Sequence, residues 1–463
     1  MKNIKFNKSY ILSISMVSAM GGLLFGYDWV VIGGAKPFYE RFFDIANSAN
    51  LQAWAMSSAL IGCILGAVIS GVISDKFGRK RPLLLAALLF TISAFGTGIS
   101  ESYEIFIIYR VVGGLGIGLA SALSPMYIAE VSPSEFRGRF VSLNQMTIVI
   151  GILAAQVVNI IIADVVPVDA TDEFIKASWN GTTGWRWMFW AELVPAIAFF
   201  IFTFFVPESP RWLMKVEKKE KAYPTLVKIG GEIYAKMEIE NIQATLNNVT
   251  EKVDFKALFQ PKYRMVLVVG IVLAIFQQWC GINIIFNYAD EIFTAAGYGV
   301  SDTLFNIVIT GSVNLLFTLV AMFTVDKWGR KKLMLLGSLG LAVTYLLLGS
   351  AFYFELKGIA VLSLVVIGIG VYAMSLAPIT WVILSEIFPN RIRGAAMAVA
   401  TFSLWIACFA LTYTFPLLNK GFGAAGTFWV YAIICLFGFL FISKKLPETK
   451  GKSLEEIEQE LVK

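Results

Sequence analysis

Long apolar runs dominate this sequence and restrict what it can fold into. About twelve of them follow one another, each of roughly 20 residues, the length a helix needs to cross the hydrocarbon core of a bilayer. Hydrophobic residues make up 57% of the 463 residues and charged residues only 15%, whereas soluble domains contain about 25% charged residues. Backbone polar groups find no partners in lipid, so such runs must be helical. The sequence therefore predicts an all-α membrane protein with 12 transmembrane helices.

The apolar runs form two groups of six, separated by one long polar segment. Their approximate bounds are 10–35, 53–74, 82–99, 104–129, 140–162, 185–206, 264–289, 303–325, 332–352, 358–385, 394–417 and 425–443. The polar segment contains a lysine-rich stretch at 215–221 and has spacing compatible with an amphipathic helix. We expect a six-helix bundle at 1–206, a helical linker at 207–263, a second six-helix bundle at 264–446 and a tail at 447–463.

Repeated loop motifs relate the two groups of helices. Asp75-Lys-Phe-Gly-Arg-Lys-Arg81 recurs as Asp326-Lys-Trp-Gly-Arg-Lys-Lys332, and the segment at 129–138 recurs at 385–394. A third motif, Pro-Glu after the sixth run at 207–208, recurs after the twelfth at 447–448. Two duplicated halves predict a substrate site between them near the middle of the membrane, with alternating access.

Basic residues concentrate in the connections after the second, fourth, eighth and tenth runs. By the positive-inside rule these connections and both chain termini are expected in the cytoplasm. The same distribution explains the net charge of +6, because basic loops of this kind face lipid headgroups. We therefore expect no nucleic-acid partner. Four scattered cysteines predict neither a disulfide framework nor a metal site.

Four motifs, each at a predicted helix end, carry a family resemblance. They are residues 75–81, Pro207-Glu-Ser-Pro-Arg-Trp-Leu213, Gln277-Gln-Trp-Cys-Gly-Ile-Asn283 and Pro447-Glu-Thr-Lys-Gly451. Together they resemble the sugar porter family of the major facilitator superfamily, most closely the bacterial D-xylose/proton symporters and more distantly the facilitative glucose transporters. The resemblance implies the major facilitator fold and a transporter, not an enzyme. It also implies a monomer in the cell inner membrane that needs no cofactor beyond a coupling proton.

Two ionisable residues, Asp28 and Arg110, fall inside predicted spans, where a charge costs about 2.5–3.5 kcal/mol. The resemblance implies that Asp28 accepts the coupling proton and that Arg110 is its partner. Glu192 in the sixth run is a second candidate for proton handling, although it could instead support the cytoplasmic helix ends. The alternative for the pair is an inert buried ion pair. Because the chain has no histidine, proton coupling must use a carboxylate.

Amide and aromatic side chains in the spans suggest a monosaccharide substrate. Amides both donate and accept hydrogen bonds, as sugar hydroxyls do, and aromatic rings provide flat apolar faces. The resemblance places sugar contacts at Phe25, Gln145, Gln277, Gln278, Asn283, Asn314, Trp381 and Trp405. Ile152 and Leu404 stand where the xylose symporter has glutamines. An aldose is therefore expected, with D-xylose and D-glucose both open.

Charged residues of the repeated loops are expected to form a cytoplasmic latch that closes the two halves in the outward-facing state. The eight latch residues are Asp75, Arg79, Glu130, Arg137, Asp326, Arg330, Glu386 and Arg393. Alternatively, the basic members only fix the topology. The glycines at 113–118, by contrast, are expected to permit close helix packing and not to bind a nucleotide.

These features together predict proton-coupled symport of an aldose across the cytoplasmic membrane. A facilitative sugar uniporter is the nearest alternative, and Asp28 separates the two because a uniporter needs no acid there. A sugar sensor that binds without transport is a third possibility. The short tail after Leu446 argues against it, since sensors of this fold generally carry long signalling tails.

Overall fold

The structure is a computed structural model. It describes residues 5–167, 170–248, 258, 260–389, 392–450 and 456, and excludes the side chains of 245–248 and 325–327. Within these ranges the regular structure is helical, which confirms the predicted all-α class.

The helices before the linker are, in chain order, α1 (Lys8–Phe42), α2 (Ala49–Phe77), α3 (Lys80–Ile99), α4 (Tyr103–Val131), α5 (Arg137–Ile162), α6 (Asp172–Ala177), α7 (Trp185–Trp190) and α8 (Leu193–Thr203). A π-helical turn at Asn180–Gly184 precedes α7. The linker contains α9 (Pro210–Lys215) and α10 (Lys219–Asn248). The remaining helices are α11 (Pro261–Trp279), α12 (Ile282–Asn287), α13 (Ala289–Ala295), α14 (Val300–Trp328), α15 (Arg330–Tyr353), α16 (Ile359–Met374), α17 (Leu376–Ile387) and α18 (Arg393–Lys445).

Eleven helical segments among the described residues are long and apolar enough to cross a membrane. The last of them, α18, has 53 residues and breaks at Gly423, whose φ is 67°. A single pass needs about 20 residues, so α18 holds two passes and the total becomes the predicted twelve. The positive φ at Gly423 interrupts the helix at a backbone conformation that glycine adopts readily.

Two membrane-spanning segments are interrupted just before predicted sugar contacts. The segment Pro261–Asn287 divides between Trp279 and Ile282, where Gly281 adopts φ 86°. The segment Ile359–Ile387 divides at Ser375, whose φ and ψ are −126° and −87°. Irregular backbone inside a membrane protein occurs where it is buried in protein or lines a cavity. The predicted sugar contacts Asn283 and Trp381 follow these two breaks.

The chain packs as two compact units. One consists of Met1–Asp28, Ile61–Gly151 and Phe189–Lys252, and the other of Trp29–Leu60, Ile152–Met188 and Val253–Lys463. Both α1 and α5 contribute to each unit. The domain bounds predicted from the duplication follow the sequence repeat, and they stay a prediction.

The linker packs against the start of α1 within the first unit. Ser209 caps α9 by accepting the backbone N–H of Trp212, and Pro210 occupies the first turn, where its missing N–H costs nothing. Ile11 of α1 joins a buried apolar cluster with Trp212, Leu226 and other residues of α9 and α10. The described part of the predicted linker is thus helical, with a bend in α10 at Gly231, whose φ is 80°, and the linker bounds stay a prediction.

Glycines allow α2 and α4 to approach closely, as expected from the 113–118 stretch. Gly118 of α4 lies against the backbone of Cys63 and Ala67 of α2, and Gly66 of α2 lies against the backbone of Leu115 and Gly118. A side chain at either glycine would meet main-chain atoms, which cannot move aside without separating the helices. This contact follows the small-residue packing rule for membrane helices.

We expect Gly118→Val to prevent stable folding, because two branched methyl groups would meet the α2 backbone. The predicted result is loss of the monodisperse peak in size-exclusion chromatography and a large loss of folded yield. Gly394→Val is the matched control, because a Cβ at Gly394 meets nothing within 4 Å. Equal folded yields for both variants would contradict the close-packing role of Gly118.

Candidate functional site

The first unit contains a buried ion pair with a second carboxylate beside it. Arg110 of α4 donates through Nη1 to Asp28 Oδ1 of α1, and its Nη2 lies 3.4 Å from the Asp28 carbonyl oxygen. The two side chains are each only 2% exposed. The Arg110 guanidinium also lies 5.8 Å from the ring centroid of Phe189. Buried Glu192 interacts electrostatically with both Asp28 and Arg110. The structure thus brings together all three residues predicted to handle protons.

This site leaves several polar atoms without hydrogen-bond partners. Asp28 Oδ2, Arg110 Nε and Glu192 Oε1 are buried and make no hydrogen bond among the described residues. A Cβ at Gly113 of α4 would meet both Asp28 Oδ2 and the hydroxyl oxygen of Ser93, so the glycine leaves room for these two side chains. A fully satisfied structural ion pair has no such open acceptors. The arrangement can therefore take up a proton on a carboxylate oxygen without first breaking a hydrogen bond to it.

Three predicted sugar-binding amides form one hydrogen-bonded chain in the second unit. Asn283 donates to Gln278 Oε1, and Gln278 Nε2 donates to Gln277 Oε1 at 2.6 Å. Gln277 Nε2 then donates to the hydroxyl oxygen of Tyr372 at 2.6 Å. The break at Gly281 turns α12 so that Asn283 reaches back to Gln278. Gln277 and Gln278 are buried and Asn283 is half-buried, which leaves Asn283 as the accessible end of the chain.

The other predicted sugar contacts divide between the two units. In the second unit, Asn314 and Trp405 are buried, whereas Trp381 is 39% exposed. The ring of Trp405 lies 6.1 Å from that of Trp29, centroid to centroid. Phe25 and Gln145 are half-buried residues of α1 and α5 in the first unit. The sugar-binding roles of all eight residues stay a prediction.

Tyr372 of α16 is a residue that the sequence reasoning missed. Its hydroxyl accepts the last hydrogen bond of the amide chain and is buried with it. It lies 95 residues from Gln277, and nothing in the local pattern of α16 distinguishes this tyrosine from a packing residue. Its contribution is to hold the Gln277 amide in one orientation, which also orients Gln278 and Asn283.

Predicted latch residues of the first repeat form ion pairs within the first unit. Arg79 binds Glu130 through two parallel hydrogen bonds of 2.8 Å, a strong bidentate geometry. Asp75 is 2.9 Å from Lys215 of the linker. Arg137 Nε donates to the carbonyl oxygen of Ala129 at 3.1 Å.

The second repeat contains corresponding contacts within the second unit. Arg330 is 3.3 Å from Glu386, matching the pair of Arg79 with Glu130. Arg393 Nε, like that of Arg137, donates to a backbone carbonyl oxygen, but the acceptor is Phe388 at 3.1 Å and not the residue equivalent to Ala129. The side chain of Asp326 lies outside the described residues. The ion pairs between two latch residues, Arg79 with Glu130 and Arg330 with Glu386, each lie within a single repeat, and the latch function stays a prediction.

Two glutamates that were not selected from the sequence organise these loops. Glu208 accepts the backbone N–H groups of Arg79 and Lys80 at the start of α3. Glu448 does the same for Arg330 and Lys331 at the start of α15. Burial alone would raise the pKa of Glu448, but the backbone N–H donors around it, including those of Lys450 and Arg330, outweigh that effect and lower its pKa. The repeated Pro-Glu motif was the signal that could have identified both.

A buried lysine in the second unit forms ion pairs with three carboxylates. Lys36 Nζ of α1 lies 2.8 Å from Glu291 Oε1, 3.4 Å from Asp290 Oδ2 and 3.3 Å from Glu40 Oε1. The Lys36 side chain is 2% exposed. Gln52 of α2 donates to Glu40 Oε2 at 3.1 Å. We call Lys36, Glu40, Asp290 and Glu291 the Lys36 cluster, and it connects α1 of the first repeat to α13 of the second.

Comparisons with known proteins give a consistent result. Residues 14–461 match the family model described as Sugar (and other) transporter. The D-xylose-proton symporter of Escherichia coli (strain K12) is 40% identical over 486 residues, covering 98% of this chain and 96% of that protein. The arabinose-proton symporter of Bacillus subtilis (strain 168) is 42% identical over 455 residues, with coverage of 98% and 96%. The inward-open structure of the E. coli xylose transporter has a TM-score of 0.85 and 39% identity, covering 98% of this chain and 100% of that one.

We expect Lys36→Met to destabilise the protein by about 3–5 kcal/mol, because it leaves three buried or partly buried carboxylates without a cation. The measurement is thermal unfolding of the purified protein in detergent. Lys176→Met is the matched control: its ion pair with Asp44 is exposed and contributes about 1 kcal/mol or less. The loss in Lys36→Met should shrink as the pH falls, since protonated carboxylates no longer repel one another. Equal melting temperatures for the two variants would contradict a structural role for the cluster.

Proposed function

The chain belongs to the sugar transporter family, and from that premise we propose that it is a proton-coupled symporter of a monosaccharide that works by alternating access. The observation that carries the coupling is the buried pair of Asp28 and Arg110 beside Glu192. Ionisable residues inside a membrane are expensive and mark proton relays and ion pathways. A carrier that only facilitates diffusion has no need for an acid at this position.

Coupling follows from competition between Arg110 and a proton for the same carboxylate. In the paired arrangement the guanidinium neutralises Asp28. When a conformational change moves Arg110 away, a proton takes over that role and the buried carboxyl group stays neutral. Protons that enter down their gradient then favour the inward-facing conformation, which releases the sugar into the cytoplasm. Glu192, which interacts electrostatically with Asp28 and Arg110, is a second carboxylate that can hold the proton.

An aldose is the substrate class that suits the amide chain. Sugar hydroxyls can donate to the half-buried Asn283, while Trp381 and Trp405 provide flat surfaces for the C–H face of a pyranose ring. The two relatives described above are named for D-xylose and arabinose, both aldopentoses, which supports an aldose. Ile152 and Leu404 are buried apolar residues, and a site with fewer amides keeps D-glucose as a candidate beside D-xylose.

The predicted topology completes the proposal. Basic residues near the starts of α3, α5, α15 and α18 support placing those helix ends in the cytoplasm, with both termini on the same side. On this placement the protein is a multi-pass protein of the cell inner membrane and functions as a monomer. The latch residues then hold the cytoplasmic helix ends together while the protein is in its outward-facing state.

We expect Asp28→Asn to abolish uphill sugar accumulation while downhill counterflow persists, because asparagine cannot exchange a proton. The measurement is uptake of labelled D-xylose, D-glucose, D-galactose and L-arabinose by proteoliposomes with an imposed proton gradient. Asp44→Asn is the matched control, since Asp44 follows the same helix and is exposed.

Two outcomes of this experiment would count against symport. If the unmodified protein accumulates none of these sugars with the gradient but exchanges them downhill, the protein is a facilitative uniporter. If Asp28→Asn accumulates sugar as well as the unmodified protein does, the coupling carboxylate lies elsewhere.

We expect Tyr372→Phe to raise KM for the transported sugar by about 5- to 10-fold with a smaller effect on kcat. The substitution leaves the Gln277 amide without its acceptor, a loss of about 1 kcal/mol or more for a buried group. Measuring initial rates in the same proteoliposomes separates the two constants. Tyr353→Phe is the control, because Tyr353 is exposed at the end of α15. An unchanged KM in Tyr372→Phe would mean that the amide chain does not depend on this hydroxyl.

A further inference from the structure

A glutamine of α5 has no role in the features described above. Gln156 is 1% exposed, and neither its amide oxygen nor its amide nitrogen has a hydrogen-bond partner among the described residues. Burying an amide without partners is costly, and the cost is larger when both the donor and the acceptor are unmet. A side chain of this kind needs a partner in some state of the protein.

Gln156 packs against α14 in the second unit. Its amide oxygen lies against Gly311 of α14, where a side chain would collide with it. Three residues further along α5, Asn159 donates to the carbonyl oxygen of Val31 in α1 at 3.0 Å. Asn159 also fills the space over Gly34. Both glycines therefore make room for amides of α5.

The surroundings of Gln156 include residues of the proposed sugar site. Gly311 is three residues from Asn314, so the two lie on the same side of α14. Gly33 of α1 packs against the backbone of Phe286 and Asn287 in α12, the short helix that also carries Asn283. Trp29, near the same part of α1, packs with Trp405. Gln156 thus lies against the side of α14 that carries Asn314, one of the proposed sugar contacts.

A role as a connector between helices does not account for Gln156. An amide that connects membrane helices donates to or accepts from a neighbouring helix, as Asn159 does with Val31. Gln156 makes no such bond although it is packed against α14. Its free donor and free acceptor match a hydroxyl group, which accepts and donates at the same time. An apolar ligand would hydrogen-bond neither the amide nitrogen nor the amide oxygen of Gln156. A cation or an anion would satisfy only one of the two.

We propose that Gln156 is a further sugar-binding residue that determines specificity by hydrogen-bonding one hydroxyl of the substrate. The proposal rests on the proposed function, since it assumes that a sugar is transported. Gln156 lies one turn beyond Ile152 on α5. The apolar Ile152 and the polar Gln156 therefore determine which hydroxyl of the sugar ring is hydrogen-bonded by an amide. A site that hydrogen-bonds a hydroxyl rejects an analogue that lacks it, because its own polar groups are left unpaired.

The test compares Gln156→Met with the unmodified protein in proteoliposomes carrying an imposed proton gradient. Each monodeoxy analogue of the preferred sugar is used to inhibit uptake of the labelled sugar. In the unmodified protein we expect the analogue lacking the Gln156 partner hydroxyl to inhibit about 10-fold more weakly than the parent sugar. In Gln156→Met we expect that analogue, and no other, to inhibit about as strongly as the parent sugar does. KM for the parent sugar should rise about 5- to 10-fold.

Ile161→Met is the matched control, because Ile161 lies on the same helix and is 74% exposed. Its analogue profile should equal that of the unmodified protein. Thermal unfolding in detergent checks that each variant is folded. If Gln156→Met does not fold, Gln156→Asn retracts the same amide by one methylene, and the proposal then predicts a weakened preference for the same hydroxyl.

Two results would overturn the proposal. One is a folded variant, Gln156→Met or Gln156→Asn, whose KM and analogue profile match those of the unmodified protein. The other is a uniform loss of affinity for every analogue, which would indicate a structural or water-binding role. Failure of the proposed function is separate, since the unmodified protein would then accumulate no sugar at all.

Discussion

Exclusion of water from the membrane interior is the constraint on which this structure depends. Without water, each backbone polar group must be satisfied within the protein, which explains why long helices make up the described chain. The same constraint applies to charge. Arg110 lies against Asp28, and Lys36 lies against three carboxylates. Because α1 carries both Asp28 and Lys36, its sequence determines the partners of α4 and of α13. A helix that is apolar over most of its length thus owes its specific contacts to a few charged residues.

The two duplicated halves stabilise the start of one helix each, α3 and α15, with the same set of contacts. In each half a glutamate of a Pro-Glu motif accepts the first backbone N–H groups of a helix, beside a glycine with φ near 88°. The first N–H groups of a helix lack intrahelical partners and carry partial positive charge, so a carboxylate suits that position. The lysine that follows the arginine donates in each case to a backbone carbonyl just before the Pro-Glu motif, that of Phe204 for Lys80 and that of Ser443 for Lys331. The motif therefore has a structural function at the helix start in addition to any part in transport.

Features that depend on local sequence could be predicted, and features that depend on distant contacts could not. The spans, the linker helix and the spacing of Gln277, Gln278 and Asn283 follow from residues close together in the chain. The Lys36 cluster was missed because Lys36 lies one residue beyond the predicted first span, and its partner Glu291 is 255 residues away. Tyr372 and Gln156 were missed for the same physical reason. The role of a tyrosine or glutamine in an apolar helix depends on which residues of a neighbouring helix it contacts.

The two buried ionic sites differ in charge balance, and this difference bears on the proposed coupling. Asp28, Arg110 and Glu192 carry two negative charges and one positive charge when ionised, so one proton makes the group neutral. The Lys36 cluster has three carboxylates for one ammonium group, and Gln52 and Asn419 supply hydrogen bonds to two of them. It is partly open to water, since the side chain of Glu291 is 22% exposed, and water tolerates the residual charge. The Asp28 site has no such access. A fully buried group that is one charge from neutrality is suited to bind one proton in each transport cycle, whereas a partly exposed cluster is suited to hold two helices together.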